Sequence, residues 1–511
     1  MTLSAMATDY KGNLTVSING EGSTQPATIS IVENAGKYNL SILNFMLGEG
    51  ESVLPVGNIV IENVTGAVAG NLTTLYVNKN ITIQKGNAAG IADDAWLGPM
   101  LGEVPVKMSS SFNTNGFLGV NIDIDMVSTL GQVIKVTFEN VGNHFQMPNS
   151  DFETWSNENN APKHWHGFES VKGKLSGTAK SKTKLVSSKN VRPGSKGLTS
   201  AVVTSTKVFT VIANGTMTNG RLAAGSMWAT NSANHSETNL SSTDVDANGD
   251  PFATPMYAKP DSVKFWMRFT QAKAQASYPY AAFNAVITDG TYYQDPEDKN
   301  STYNNKVAVA APNQADMTVS DWRLVSCHFS YATNGAEAKA ILLTVSTNAT
   351  PGKGSYSNGV ADSVYVDDLE LVYLADIKSV SFKGATLDLA NTDIDIADDD
   401  VISASDFVVE KIGEDAKVTT LVEANAKGYQ AVISVVSGDL NTQKTLVFNF
   451  NKPVWADGDV NHDGVVDLAD VTLLINKVLG ADATQLYNPD VNADGNVDVA
   501  DVTTLVSLIL G

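Results

Sequence analysis

Apolar and polar residues alternate along most of the chain, which is the pattern of strands with one buried face. In residues 13–18 (NLTVSI), 37–42 (KYNLSI) and 119–126 (GVNIDIDM) every second residue is apolar. Turn residues such as Gly, Asn, Asp and Ser separate these stretches. The pattern predicts a mainly β, multidomain protein built from barrels or sandwiches.

The pattern changes to a helical period in the last 55 residues. Two apolar stripes each fall on one face of a helix, and both helices are followed by a Gly suited to a C-cap. The stripes consist of Leu468, Val471, Leu474, Ile475, Val478 and Leu479, and of Val499, Val502, Leu505, Val506, Ile509 and Leu510. Such short helices do not bury a stripe alone, so we expect them to pack against each other.

A chain of 511 residues is too long for one hydrophobic core. Shifts in composition and linker-like stretches predict that the chain has four domains. We predict a β unit at 1–143, a larger β unit at 150–374, a third β unit at 375–453 and a small helical unit at 457–511.

Charge narrows the classes of partner. The formal net charge is −21 and the pI is about 4.6, which argues against a nucleic-acid partner and against binding to an anionic membrane surface. The acid is concentrated: residues 457–511 hold ten Asp and one Lys, a net charge of −9. We infer that this segment binds cations.

The cysteine count, the hydropathy and the N-terminal residues indicate in which cellular compartment the protein is found. Cys327 is the one cysteine, so no internal disulfide forms, and its alternation with Val325 and Phe329 predicts a buried core position. No apolar run is long enough to cross a bilayer. The start, MTLSAMATDYKG, lacks the features of a signal peptide. The chain is therefore either cytosolic or begins after a removed signal.

Two acidic loops precede the two helices, and both have the spacing of calcium loops, with ligands at positions 1, 3, 5, 7, 9 and 12 and Gly at position 6. From each first Asp, the two segments are identical at 14 of 22 positions. The predicted ligands are Asp459, Asn461, Asp463, Val465 (backbone), Asp467 and Asp470, then Asp490, Asn492, Asp494, Asn496 (backbone), Asp498 and Asp501. The alternative is a pair of solvated Asx turns.

The stretches before the loops do not read as entering helices, and a loop–helix pair of this kind resembles a dockerin across essentially all of 457–511. The resemblance implies two calcium ions and a cohesin-like or other protein partner. In that family, loop positions 10 and 11 help choose the partner. Those positions hold Leu468, Ala469, Val499 and Ala500.

The N-terminal unit resembles the calycin-like β-barrel domains of surface proteins from glycan-degrading gut bacteria, on the stretches YKGNLTVSINGEGSTQPATISI and KYNLSILNFMLGEGESVLPVGNIVIENV. Such barrels can hold a small ligand. The alternative is a barrel filled by side chains that serves as a spacer.

The 150–374 unit resembles a carbohydrate-metabolism domain that recurs beside such barrels, on SDFETW, STKVFTVIANGTMTNGRLAAGS, PDSVKFWMRF and SVYVDDLELVY. Its ends are also similar to a jelly-roll carbohydrate-binding module. That resemblance implies one structural calcium ion held by Asp151, Glu153, Asp367 and Asp368, or else ordinary exposed carboxylates.

Sugar binding requires flat aromatic faces with polar neighbours. We predict a glycan surface among Trp155, Trp165, Tyr278, Tyr280, Tyr292 and Tyr293. Trp266 lies in the alternating KFWMRF and is interpreted as a core residue. The 375–453 unit is predicted to be an Ig-like sandwich and a spacer.

Two further motifs remain incomplete. His164 and His166 in KHWHG indicate half of a zinc site, but no other ligand is placed by spacing to complete it. TDVDANGDPF begins like a calcium loop, yet its twelfth position is Pro255, which favours a turn. No nucleophile or phosphate-binding motif is present.

The sequence favours a non-catalytic, secreted or surface-attached protein, its signal peptide removed, that binds glycan and docks to a partner through its calcium module. The alternatives are a glycan-active hydrolase with its site in 150–374 and a purely architectural surface protein. No nucleic-acid partner is expected.

Overall fold

A computed structural model describes residues 7–48, 53–140, 145–156, 161–182, 185–208, 210–333, 335–481 and 486–511. The first β unit was predicted to span residues 1–143. Residues 1–6 and residue 143 lie outside the described residues. Strands make up 48% of the chain and helices 9%, which confirms the mainly β class. Within the described residues, no helix is both long and apolar enough to span a membrane.

The N-terminal unit is a closed antiparallel barrel of eight strands in sequence order. The strands are β1 (Ala7–Ile18), β2 (Glu21–Asn34), β3 (Lys37–Leu47), β4 (Leu54–Ala69), β5 (Leu72–Thr82), β6 (Glu103–Asn113), β7 (Leu118–Met126) and β8 (Gln132–Asn140), with α1 (Val127–Leu130) before β8. β1 closes the barrel on β8, with Leu14 opposite Phe138 and Val16 opposite Val136. These inward side chains belong to one buried apolar cluster, as the alternation predicts.

The second unit contains α2 (Ser176–Lys180) and strands β9 to β26. The strands are β9 (Leu185–Ser188), β10 (Ser200–Thr204), β11 (Thr206–Val208), β12 (Val211–Ala213), β13 (Thr216–Thr218), β14 (Arg221–Ala224), β15 (Asn234–Thr238), β16 (Thr254–Pro255), β17 (Ser262–Thr270), β18 (Ala282–Thr288), β19 (Tyr293–Asp295), β20 (Lys306–Ala310), β21 (Ser320–His328), β22 (Ser330–Tyr331), β23 (Ala340–Ser346), β24 (Tyr356–Ser357), β25 (Val360–Ala361) and β26 (Ser363–Val372).

Two of its antiparallel sheets share one core. A five-stranded sheet has the order β21-β17-β26-β10-β9, and a second has the order β13-β23-β18-β20-β22 with β16 paired to β23. Phe265 and Phe283 stack across the core with ring centroids 4.0 Å apart. Cys327 is buried there, which confirms its predicted core position. A separate three-stranded sheet has the order β14-β15-β19.

Strand β17 alternates buried and half-buried residues, and the buried set contains Phe265, Met267 and Phe269. Trp266 belongs to the other set and lies under the guanidinium of Arg192, 5.2 Å from its ring centroid. The interpretation of Trp266 as a core residue was therefore wrong. The strand period was read correctly, but the ring was assigned to the wrong face.

The third unit contains two sheets, of order β28-β27-β30 and β29-β33-β32-β31. Its strands are β27 (Asp376–Phe382), β28 (Ala385–Thr386), β29 (Asp393–Asp395), β30 (Phe407–Ile412), β31 (Lys417–Asn425), β32 (Gly428–Val436) and β33 (Gln443–Asn451). Phe382, Phe407 and Phe450 pack together, with centroids 4.7 to 5.7 Å apart.

The last residues form α3 (Leu468–Val478) and α4 (Val499–Leu510). Val471, Leu474 and Leu505 form their buried core, so the two helices pack against each other as predicted. The predicted stripes were too wide, because Leu468, Leu479, Val499 and Leu510 are exposed. Leu474 and Leu505 are fully buried.

By backbone contacts, the chain divides into two compact units. One comprises Met1–Ser379, Val409–Thr419 and Ile433–Thr445, and the other comprises Val380–Val408, Thr420–Val432 and Leu446–Gly511. Five strands of the third domain continue from one unit into the other. The four domain boundaries stay predictions.

Candidate metal loops and binding surfaces

The first acidic loop is wound around the carboxylate of its first residue. Asp459 accepts hydrogen bonds from the backbone N–H groups of Asp463 at 3.2 Å and Gly464 at 3.0 Å. Gly464 has a φ of 92°, a conformation that a side chain would strain. The glycine therefore lets the loop turn sharply enough to bring its sixth amide back to its first residue.

Asp470 joins the loop to α3. Its fully buried carboxylate accepts from Asn461 N–H at 3.1 Å and from Asp467 N–H at 2.9 Å. Asp467 accepts from Ala469 N–H at 2.7 Å, and Asp467 and Asp470 form a capping box in which each side chain accepts from the backbone N–H of the other. The twelfth loop position is thus fixed by the helix that follows it.

The second loop repeats this network bond for bond. Asp490 accepts from Asp494 N–H at 3.1 Å and Gly495 N–H at 2.8 Å. Asp501 is also buried and accepts from Asn492 N–H at 3.1 Å and Asp498 N–H at 2.8 Å. Backbone amides, first that of Asp498, hold the pKa of the Asp501 carboxyl below its usual range.

The donor chemistry of both loops fits a hard cation. Each loop supplies four carboxylates, an amide oxygen and a backbone carbonyl, all oxygen ligands of the kind that Ca²⁺ takes. As the side chains stand in the described residues, no three His, Cys, Asp or Glu groups converge on one point. The loop carboxylates instead point at backbone amides, so binding an ion requires them to turn inward.

One contact distinguishes the first loop from the second. The His462 ring, at loop position 4, is stacked between Trp455 at 4.5 Å and Tyr487 at 3.9 Å. Its Nδ1 lies 3.8 Å from Asp398. The equivalent position of the second loop is Ala493, so the stack belongs to the first loop.

The predicted partner-docking positions are exposed. Leu468 is 74% exposed and Val499 66%, and Ala469 and Ala500 beside them are also exposed. The two helix ends add a second exposed pair, Leu479 at 77% and Leu510 at 80%, which the sequence analysis had assigned to the buried stripes. The equal spacing of the repeats was the signal that would have found it.

The four carboxylates predicted for a calcium ion in the second unit have other partners. Glu153 accepts from the N–H groups of Leu198 and Thr199, and Asp151 from that of Glu153. Asp367 and Asp368 both bind Arg192, through its backbone N–H and its guanidinium respectively.

The ends of the second unit do lie together, because Leu369 N–H donates to Ser150. The described structure does not gather the four carboxylates into a cage, and their metal role stays a prediction. Burial raises the pKa of Asp367 to about 6.

The six aromatic residues predicted to bind glycan differ in how exposed their side chains are. Trp165 and Tyr293 are 1% and 2% exposed, which removes both rings from solvent. Trp155 and Tyr280 are partly buried against the core, and Tyr278 is half-buried under Lys353. Tyr292 is 43% exposed and is the most accessible of the six.

The most exposed tryptophan was missed by sequence reasoning. Trp228 is 79% exposed, at the tip of a loop pinned by the Asn234 side chain. That side chain accepts from Gly225 and Ser226 N–H and donates to the carbonyls of Ser226 and Trp228, at 2.9 to 3.0 Å. The residues around Trp228 have no period that would have indicated this exposure.

Polar groups continue from that loop onto the β14-β15-β19 sheet. Ser232 of the loop accepts from His235 and Gln294, at 2.7 and 3.1 Å. Glu237 accepts from Tyr292 at 3.3 Å and contacts His235 at 3.1 Å. Burial alone would raise the pKa of Glu237, but hydrogen bonds from His235 and Lys172 hold it below its usual range.

The two incomplete motifs of the second unit lie side by side. His166 Nδ1 is 3.6 Å from Asp246 Oδ2, and His164 Nδ1 is 3.4 Å from Asp250 Oδ1. About 80 residues separate the histidines from the aspartates. Sequence spacing therefore gave no signal for this pairing.

A cavity of about 670 Å³ lies elsewhere, lined by residues that include Glu139, Glu370, Tyr373, Asp439 and Asn441. Burial raises the pKa of both Glu139 and Asp439. None of the predicted site residues lines this cavity.

Two family models match the chain. The model of the calycin-like beta-barrel domain matches residues 6–141, and that of the dockerin type I domain matches residues 457–510. Both predicted resemblances at the ends of the chain are thereby confirmed. No curated protein matches the chain.

Several solved structures are weakly similar. The CBM22-2 xylan-binding domain of Paenibacillus barcinonensis Xyn10C is 10% identical, with 44% of this chain and 96% of that domain covered and a TM-score of 0.20. The CBM22-1-CBM22-2 tandem of the same protein is 12% identical, with coverages of 72% and 93% and a TM-score of 0.20. These values are too low to assign a fold or a ligand to any part of the chain.

Proposed function

We propose that the chain is a modular surface or extracellular protein whose C-terminal residues bind two calcium ions and dock to a cohesin-type partner. Dockerin type I domains generally bind calcium and dock to cohesins. The observation that carries the proposal is the repeated network of the two loops, in which corresponding residues make the same hydrogen bonds.

Side chains of residues 457–511 fix the positions of the two loops and the two helices relative to each other. Asp470 and Asp501 tie each loop to its helix, while Leu474 and Leu505 fix the two helices together. Calcium, when bound, supplies the positive charge that offsets four carboxylates per loop. Because each loop brings its ligands near one another only when the module is folded, calcium binding and folding are coupled.

The exposed apolar pair Leu468 and Val499 defines the chemistry of the partner. Exposed leucine and valine side chains at equivalent positions favour an apolar surface on the partner over one that binds hydroxyl groups.

A panel of purified cohesin domains tests the docking proposal by biolayer interferometry with calcium. We expect one or more cohesins to bind the full chain, and the variant Leu468→Ser with Val499→Ser to bind at least ~10-fold more weakly. Val401→Ser alters an equally exposed apolar residue in the third domain and should bind normally. Binding that survives the paired change would reject this surface.

A second function, glycan binding, is favoured by the Trp228 loop. An indole that is 79% exposed on a loop held by four side-chain hydrogen bonds presents a preorganised flat face. On the β14-β15-β19 sheet, Tyr292, which is 43% exposed, and Glu237 add a hydroxyl group and a carboxylate for sugar hydroxyls.

A glycan array, followed by a reducing-sugar assay on each bound polysaccharide, tests this second function. We expect binding without turnover, and loss of binding in Trp228→Ala. Tyr356→Ala removes another exposed aromatic ring and serves as the matched control. Release of reducing sugar would instead favour a hydrolase, and an array without binding would favour an architectural role.

A further inference from the structure

His166 of the KHWHG segment is the starting point. Its side chain is fully buried, and its Nε2 lies 3.2 Å from the carbonyl oxygen of Pro251. A carbonyl oxygen only accepts, so this contact requires Nε2 to carry the proton. In the neutral ring, Nδ1 is then a bare lone pair.

That lone pair faces an anion. Nδ1 of His166 has no hydrogen-bond partner and lies 3.6 Å from Asp246 Oδ2. Two electron-rich atoms that face each other in a buried site repel, unless a proton or a metal ion lies between them. The same pairing recurs beside it, with His164 Nδ1 3.4 Å from Asp250 Oδ1.

The loop that carries the two carboxylates is ordered by its own backbone. Asp246 accepts from the N–H groups of Asn248 at 2.8 Å and Asp250 at 2.9 Å. Asp250 accepts from His164 N–H at 2.9 Å, which ties the loop to the histidine segment. The neighbouring cation, Arg221, pairs with Asp244 at 2.7 Å.

We propose that His164, His166, Asp246 and Asp250 bind one divalent transition-metal ion, with zinc as the best fit. Two imidazoles and two carboxylates are a donor set that zinc accepts, whereas calcium selects oxygen ligands. The groups stand as two pairs and enclose no common point as they lie, so binding draws the pairs together.

The His164 side chain, 37% exposed, provides the route by which the ion enters. The role of the metal is structural: it clamps the 244–250 loop onto the histidine segment. This proposal is independent of the function proposed for the C-terminal loops.

Isothermal titration of zinc into the untagged full chain tests the site, with saturating calcium present to occupy the C-terminal loops. We expect one zinc ion per chain, and at least ~100-fold weaker binding in His166→Ala. His328→Ala removes an exposed histidine of β21 and should leave zinc binding unchanged. Cobalt(II) in place of zinc should give the visible absorption bands of a tetrahedral site.

Three further variants keep the test decisive. If His166→Ala does not fold, His164→Ala and Asp250→Asn address the more accessible half of the site. Asp470→Ala with Asp501→Ala should retain the zinc ion, which separates this site from the calcium module. No zinc uptake, or uptake that His166→Ala and His164→Ala leave intact, would overturn the proposal.

Discussion

The C-terminal loops and the 244–250 loop begin with nearly the same residues and end in different chemistry. All three wind through a glycine in the left-handed region, with φ of 92° at Gly464, 90° at Gly495 and 86° at Gly249. The first carboxylate of the C-terminal loop accepts two amides of its own loop, whereas Asp244 pairs with Arg221. The short motif thus determines the turn and leaves the ligand set open.

The loops differ in the residue that completes the ligand set, which is the twelfth loop position in the C-terminal loops. In the first C-terminal loop it is Asp470, eleven residues after Asp459 and held by the next helix. In the 244–250 loop, Asp250 and Asp246 instead face His164 and His166, which a distant segment of the chain supplies. An oxygen at the closing position favours calcium, and imidazole nitrogen favours zinc.

The largest expected effect is loss of the closing carboxylate. Asp470→Ala should weaken calcium at the first loop by more than ~100-fold, because it removes both a ligand and the capping-box acceptor. The calcium-dependent gain of helical circular dichroism should fall accordingly. Thr472→Ala, on the exposed side of α3, is the control, and an unchanged calcium response in Asp470→Ala would contradict the assignment.

The helix pair that supports the loops comes next. Leu474→Ala should destabilise the module by about 2–5 kcal/mol, since it empties a fully buried position between α3 and α4. Leu479→Ala removes the same side chain from a site that is 77% exposed and should change the free energy of unfolding by less than about 0.5 kcal/mol. Urea titration in calcium measures both, and equal effects would refute the packing.

Asp367 offers a buried carboxylate for comparison, whose pKa is set mainly by its burial. Its pKa is raised to about 6 in the folded state, so folding is disfavoured by the charge. Stability of the second unit should fall as the pH rises from about 4 to 6, and Asp367→Asn should raise it by about 2–3 kcal/mol at pH 7. Calorimetric midpoints across this range test the sign.

The same variant also tests the predicted calcium ion of the second unit. If Asp367 holds calcium, then Asp367→Asn lowers the midpoint at pH 7 instead, and chelation lowers the midpoint of the native chain.

The smallest expected effect on stability comes from the glycine turn that the 244–250 loop and the C-terminal loops have in common. Gly249→Ala and Gly495→Ala should each cost about 1 kcal/mol from backbone strain, because no atom lies within 4 Å of the added methyl group. Similar shifts in the midpoints of the two regions are expected from calorimetry. A large difference between them would show that the turns are not equivalent.

The same contrast explains what the sequence could predict. The predicted ligands of each C-terminal loop lie within twelve residues of one another, and the barrel strands alternate with a period of two. Both patterns are local, so the sequence alone could indicate them. The pairing of His166 with Asp246 depends on tertiary structure, as does the choice of which face of β17 carries Trp266. Trp228 was missed because exposure, unlike period, leaves no mark in the neighbouring residues.

Calcium stoichiometry tests the central claim most directly. Titration of calcium into the chelator-treated full chain should show two ions that disappear together in Asp470→Ala with Asp501→Ala. A chain that takes up no calcium, or one whose two ions persist in that double variant, would contradict the account.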